Sequence, residues 1–489
     1  MLFNSPEFIF VFLPLCLAIF YGLKNINARL SISFLVSASL FFYGWWNPSY
    51  LILIVFSIIV NFAISRGIAS QKNTRNRAKL TLTLGVLFNL GLLGYFKYAN
   101  FFVDNLSIAI GHEIPFGHVV LPLAISFFTF QQIAFLVDTF RFDFKPYGFI
   151  DYCLFVTFFP QLIAGPIVHH SEMMPQFSSP EKKSDGASNL SIGLTIFIIG
   201  LTKKLLIADE FALFASPVFD GYANGQSFST EETWVAVFCY SMQIYFDFSG
   251  YSDMAVGIAR MFGITLPRNF NSPYKATSII EFWRRWHITL SRFLRDYLYI
   301  PLGGNRKSGF HRFRNLFLTM LIGGFWHGAG WTFVIWGALH GTYLIINHFW
   351  RFVFANQQQK IRAFQPALNI LGLALTFIAV CFAWVFFRSP TVDSAVAMIL
   401  TMLKISDWQS FSLENTLYLK VALGFFIIWA LPNTQQIMKL YKPVLEHVES
   451  SAKFIIWRPS FTSGAIVALL LIACIFNLQR TSEFIYFQF

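Results

Sequence analysis

The chain has 489 residues, of which 56% are hydrophobic and only 12% are Asp, Glu, Lys or Arg. A soluble protein carries about 25% charged residues, so this composition excludes an ordinary water-soluble globular domain and points to a polytopic helical membrane protein. The net charge of +12 is carried by clusters between apolar segments, the pattern of cytoplasmic loops, which argues against nucleic acid as a partner. Cys16, Cys153, Cys239, Cys381 and Cys474 are far apart and lack ligand spacing, so they read as small core residues and no metal site is expected.

Phe8–Tyr21 is apolar, has no basic residue before it and no small-residue cleavage pattern after it. It reads as an uncleaved first helix, short enough to be tilted or irregular. Lys24 and Arg29 put its far end inside and the N-terminus outside. Apolar runs then alternate: Leu30–Trp46 outward, Tyr50–Ile64 inward to the basic loop Arg66–Lys79, Leu80–Tyr95 outward, and Val119–Phe140 inward. Phe149–Val168 contains Pro160, Gly165 and Pro166, with Lys145, Lys182 and Lys183 around it. It is expected to be a broken, re-entrant segment rather than one helix. Leu190–Ile207 and Thr233–Phe248 follow, and Lys203 and Lys204 leave the orientation of the first of these open. Beyond the central motifs, Leu371–Phe387, Leu417–Leu431 and Ser463–Phe476 alternate, with Lys360, Arg362, Lys439, Lys442, Lys453 and Arg458 marking the inside. Both termini are therefore expected in the periplasm. No linker or composition shift divides residues 1–489, which read as a single domain.

Arg268–Arg314 holds ten Lys or Arg against Glu281 and Asp296 and is expected to face the cytoplasm. Within it, Ser278–Ile300 shows a capping-box start at Ser278 and Glu281. Phe282, Trp286, Leu290, Phe293 and Tyr297 form one stripe, and Arg284, Arg285, Ser291, Arg292 and Arg295 lie around the other side. This pattern predicts an amphipathic helix in the cytoplasmic interface. Arg284, Arg285 and Arg292 are candidate contacts for the phosphates of an anionic donor; an anchor on lipid phosphate explains them equally well. Asp247 and Asp253 stand in the apolar stretch Gln243–Gly263. A structural pairing role is favoured for them over catalysis.

Leu316–Trp350 would make a helix of roughly 50 Å, against a hydrocarbon core of ~30 Å. Two arms joined at Gly328-Ala329-Gly330 fit better. His327 then lies at membrane depth beside Trp326 and a glycine break. A titratable imidazole there is costly, and its charge change near neutral pH suits a general base. His340 follows thirteen residues later. On one helix it would face elsewhere, and the glycine break allows both into one cavity; on residue type alone an interior hydrogen-bonded role is the better reading of His340.

The stretches WHGAGWTFVIWGALHG, QIYFDFSGYSDMAVGIARMFG, FWRRWHITLSRFLRDYLYIPLGGNR and FPQLIAGPIVHH together resemble the membrane-bound O-acyltransferase family. The opening MLFNSPEF and the ending SEFIYFQF resemble its bacterial branch containing the alginate O-acetyltransferase membrane subunit. The resemblance implies an all-α transmembrane bundle in which a tunnel and a funnel meet at a histidine. It implies that His327 is the catalytic position and that His340 matches a second family histidine. It also implies a bacterial inner-membrane acetyltransferase with no permanently bound cofactor. Acetyl-CoA or another acyl thioester is then the donor, an exopolysaccharide such as alginate the acceptor, and a periplasmic transferase the partner. Acylation of peptidoglycan, cellulose or teichoic acid is the alternative within the family. A proton-coupled transporter is the rival of another class, and the missing internal repeat weighs against it.

Overall fold

In the computed structural model, all secondary structure among the described residues is helical. Those residues are 1–71, 73–142, 147–178, 186–306, 309–354, 364–404, 413–448, 455–478 and 484–485. Lys145, Lys182, Lys183, Lys307, Lys360, Arg362 and Lys453, which carry part of the expected charge asymmetry, lie outside them. Phe8–Ile26, Ser49–Ser70, Arg75–Ile110, Gly186–Ala223 and Gln365–Arg388 are long and apolar enough to cross a membrane. Shorter apolar helices run over Ala28–Gly44, Val392–Leu403, Asn415–Ala430 and Phe461–Asn477. Their outer faces expose large apolar side chains such as Ile52, Phe102, Ile370, Phe426 and Phe476, a surface that water penalises and lipid accepts. The protein is a multi-pass membrane protein.

The first segment is irregular, as expected: a π turn over Phe8–Phe12 runs into the helix Leu13–Ile26. The Pro-containing segment is likewise broken. Helix Phe149–Thr157 ends at Phe158, whose ψ is 106°, and Phe159–Leu162 forms one further turn.

The bundle is organised around Thr230–Met261, a buried helix of 32 residues started by a capping box between Ser229 and Glu232. It packs on Gly186–Thr202 through paired glycines. A Cβ on Gly193 would lie 2.5 Å from the Gly257 carbonyl oxygen, and one on Gly200 would lie 2.6 Å from that of Gly250. Small residues let two backbones touch where lipid offers no hydrophobic drive. Two of the buried carboxylates of this helix, Asp247 and Asp253, are held by the lysines at the end of its neighbour. Lys204 Nζ meets Asp247 Oδ1 at 2.7 Å and Asp209 Oδ1 at 2.8 Å, and Lys203 Nζ meets Asp253 Oδ2 at 2.6 Å. Asp253 also accepts from Thr434 and Gln435, and Asp247 from the amide of Ile485. These carboxylates pair and position, the structural role favoured from the sequence.

The continuous amphipathic helix expected over Ser278–Ile300 is not formed. Ile279–Trp283 and Ile288–Leu294 are separate helices, followed by a π turn over Arg295–Tyr299. The break falls at His287, whose φ of 41° lies in the left-handed region. A strap through Arg268–Asn271 runs alongside and takes the backbone there: Asn271 N bonds Arg285 O, and Ile288 N bonds Asn269 O. Phe282, Trp286, Leu290 and Phe293 are buried in protein. The stripe was correctly read as one face, but that face belongs to the core.

The hairpin takes its expected form. Its arms are Gly309–His327 and Trp331–Val353, separated by Gly328–Gly330. The arms touch backbone to backbone. A Cβ on Gly324 would lie 2.4 Å from the Phe333 carbonyl oxygen and 2.8 Å from Gly337 Cα. A Cβ on Gly337 would lie 2.5 Å from the Met320 carbonyl oxygen. Neither obstacle is the end of a flexible side chain, so Gly324→Ala forces the arms apart. Overpacking of this kind costs ~1–3 kcal/mol. Thermal unfolding of the detergent-purified variant should show a clearly lowered midpoint, and an unchanged midpoint would mean that the arms are not in this contact.

Candidate active site

His327 is the last residue of the first arm, and it is 4% exposed. Its ring stands edge-on to Trp326 at 5.0 Å, Trp336 at 5.1 Å and Phe387 at 5.2 Å between centroids. Trp336 comes from the second arm, and the Gly324–Gly337 contact is what brings it there. The carbonyls that end the first arm are met from another helix. Lys97 Nζ donates to Trp326 O at 2.6 Å and to His327 O at 3.1 Å, and Tyr98 Oη donates to Phe325 O at 3.0 Å.

His340 is fully buried, one turn beyond Trp336. Trp283 Nε1 donates to its Nδ1 at 3.3 Å, which leaves the ring proton of a neutral imidazole on Nε2. The two sequence-predicted histidines share one aromatic cluster and are linked by a common neighbour: Trp336 lies 5.1 Å from His327 and 4.7 Å from His340.

A third histidine was missed by sequence reasoning. His287, at the helix break, is fully buried, and its ring centroid is 6.5 Å from that of His327. Asn269 Nδ2 donates to Ser252 Oγ, so Asn269 Oδ1 is the acceptor for both Thr289 Oγ1 and His287 Nδ1. That pattern places the His287 proton on Nδ1. The only signal in the sequence was its place inside the basic motif, where the arginines drew the reading instead.

A cleft of about 130 Å³ reaches His327. Trp46 and Leu121 at its rim are exposed; Lys97, Ser126, Trp326 and His327 are among the residues that line its depth. Trp326 Nε1 and Trp336 Nε1 are buried with no hydrogen-bond partner among the described residues. An unsatisfied buried donor costs about 1–3 kcal/mol, and two of them beside one imidazole are donors available to a ligand. Among the described residues no group of three or more His, Cys, Asp or Glu side chains is placed to hold a metal ion.

The arginines differ from one another. Arg292 forms a two-point pair with Glu172, at 2.6 and 2.8 Å. Arg285 bonds Glu281 Oε1 through Nε and Nη2, and the Asn271 carbonyl through Nη1. Glu281 in turn accepts from the Thr277 amide. Arg284 is exposed.

Residues 141–389 match the profile of the membrane-bound O-acyltransferase family. A peptidoglycan O-acetyltransferase of Helicobacter pylori is 46% identical over 434 residues, covering 83% of this chain and 80% of its own. A probable alginate O-acetylase of Pseudomonas putida is 39% identical over 509 residues, covering both chains in full. A teichoic acid D-alanyltransferase of Streptococcus thermophilus is 26% identical over 280 residues, covering 54% of this chain and 68% of its own.

The geometry separates the arginines by role. Arg292→Gln leaves Glu172 without its two charge-assisted bonds, each class of which contributes roughly 1.5–3 kcal/mol. Its unfolding midpoint should fall, whereas Arg284→Gln should unfold like the parent. Equal midpoints for the two variants would show that the Glu172 pair contributes nothing to stability.

Proposed function

The chain belongs to the membrane-bound O-acyltransferase family and is an O-acyltransferase; from that premise we propose that His327 is the general base of an acetyl transfer from acetyl-CoA. The observation that carries this reading is the place of His327: at a helix end, out of water, at the depth of a cleft and flanked by indole N–H groups that have no hydrogen-bond partner among the described residues. A neutral imidazole has one ring nitrogen free to accept a proton.

In the proposed step a ring nitrogen of His327 takes the proton of an acceptor hydroxyl. The hydroxyl oxygen bonds to the thioester carbonyl carbon, and the carbonyl oxygen becomes the anion of a tetrahedral intermediate. The indole N–H groups of Trp326 and Trp336 are the donors nearest at hand for that charge. Collapse re-forms the carbonyl, breaks the C–S bond, and the departing thiolate recovers the proton from His327. His340, beyond Trp336, orients that ring, and His287 completes the buried polar set. His327→Ala should lower transfer by ~10²–10⁴-fold in a protein that folds normally. His340→Ala should cost less. Trp336→Phe keeps the ring and removes the donor, so turnover should fall with little change in KM. The readout is base-labile labelled acetate moved from acetyl-CoA into the polymer fraction of membranes. Near-normal turnover in well-folded His327→Ala would remove the base assignment.

The acceptor in this proposal is a hydroxyl of a cell-envelope polysaccharide, reached directly or through a periplasmic transferase. Relatives that are named for peptidoglycan and for alginate support that class. The cleft rim supports the sidedness. Trp46 follows Ala28–Gly44, whose other end carries Arg29, and Leu121 follows Arg75–Ile110, which begins at a basic cluster. Under the positive-inside rule the rim is then periplasmic, as are both termini. The donor stays in the cytoplasm of a bacterial inner-membrane protein, and Arg284 is its exposed phosphate contact. Sealed vesicles with acetyl-CoA on the basic side and polysaccharide on the other should transfer label. Transfer only with both on one side would leave a one-sided acyltransferase.

A further inference from the structure

Lys97 is a half-buried lysine in an apolar helix, and its partners differ in kind from those of Lys203 and Lys204. Lys203 and Lys204 hold carboxylates. Lys97 holds three neutral oxygens: Trp326 O at 2.6 Å, His327 O at 3.1 Å and Ser126 Oγ at 3.3 Å. An ammonium has three N–H bonds, and these acceptors use all of them. Two belong to the end of a helix of nineteen residues, where the aligned peptide dipoles leave about half a negative charge. Donors from a lysine suit such an end.

The element that carries Lys97 is built for this. Gly94–Tyr98 is a π turn inside a longer helical stretch. Such a turn admits one extra residue and is found often at functional sites. Lys97 and Tyr98, adjacent in sequence, both reach the same helix end, and the Tyr98 ring stacks on Phe325 at 4.3 Å. Phe325, Trp326 and His327 therefore all have their carbonyls bonded by side chains of this one turn. Those carbonyls would otherwise be orphans at a helix terminus, free to fray.

We propose that Lys97 is a positioning residue for His327: it ties off the last turn of the helix and so fixes the imidazole against Trp336 and the cleft. This rests on His327 being the general base. A base that shifts by ~1 Å loses about a hundredfold in rate, and Gly328 and Gly330, which follow His327, offer little restraint of their own.

The test uses the full-length protein in membranes and in detergent. Lys97→Met should lower kcat about a hundredfold, with KM for acetyl-CoA within about twofold. Hydrogen exchange should rise at least about tenfold in the peptide covering Phe325–Gly330 and stay unchanged elsewhere. Lys97→Arg, which keeps donors and charge, should restore most of both. Turnover within about twofold of the parent in Lys97→Met would overturn the proposal. So would a slow variant with unchanged exchange at Phe325–Gly330, which would mean a direct action of the charge. So would exchange raised across the whole bundle in both Lys97→Met and Lys97→Gln. His327→Ala measured alongside separates the two readings. If His327→Ala is active the base assignment fails, while exchange in the lysine variants still decides the tie to the helix end.

Discussion

The contact between Gly324 and Gly337 is the constraint from which the site follows. A helix ending at His327 must be brought against a helix carrying Trp336 and His340, and any side chain at either glycine would hold them apart. Close approach lets three aromatic rings enclose one imidazole. The cost of burying that polar ring is limited by keeping it neutral. The same requirement explains why the neighbouring rings are indoles. Tryptophan fills the space that the glycines open and brings an N–H beside His327, where charge would develop in the proposed transfer.

Charge in the rest of the bundle is spent on architecture. Lys203, Lys204, Asp209, Asp247 and Asp253 form pairs beside the central helix, and hydroxyl, amide and backbone groups also bond the carboxylates of Asp253 and Asp247. Breaking such a buried pair from one side costs ~3–5 kcal/mol, so these groups are poor candidates for proton chemistry. Arg292 with Glu172 and Arg285 with Glu281 repeat the pattern nearer the surface. The chemistry proposed for the site therefore falls to His327 and the indoles around it rather than to these ion-paired groups.

The hairpin was legible because its signals are local. An apolar run too long for one crossing, with two glycines near its middle, predicts a turn, and the histidine beside it is exceptional in that setting. The irregular first segment and the proline-broken segment were legible for the same reason. The basic motif was half-legible. Its apolar stripe is real, but periodicity cannot tell lipid from protein, and the strap Arg268–Asn271 competes for the backbone at His287. His287 and Lys97 were not legible. One needs a left-handed residue imposed by the strap; the other meets a helix end about 230 positions away in sequence. No local pattern encodes either.

The two approaches to His327 are unequal, and the inequality bears on how a thioester and a hydroxyl are kept apart. On one side is the open cleft, with Lys97, Ser126 and Trp326 in its depth and the exposed Trp46 at its rim. On the other is a closed aromatic column. From exposed Arg284 the adjacent Trp283 bonds His340 and lies 5.8 Å from Trp336, which lies 5.1 Å from His327. In the proposed reaction the open side suits a bulky polymer or protein. The proposed thioester arm, coming from the basic face, would have to pass Trp283 and Trp336, which pack at 5.8 Å. Because Trp283 also holds His340 in one tautomer, the indole on that route is tied to the second histidine of the cluster.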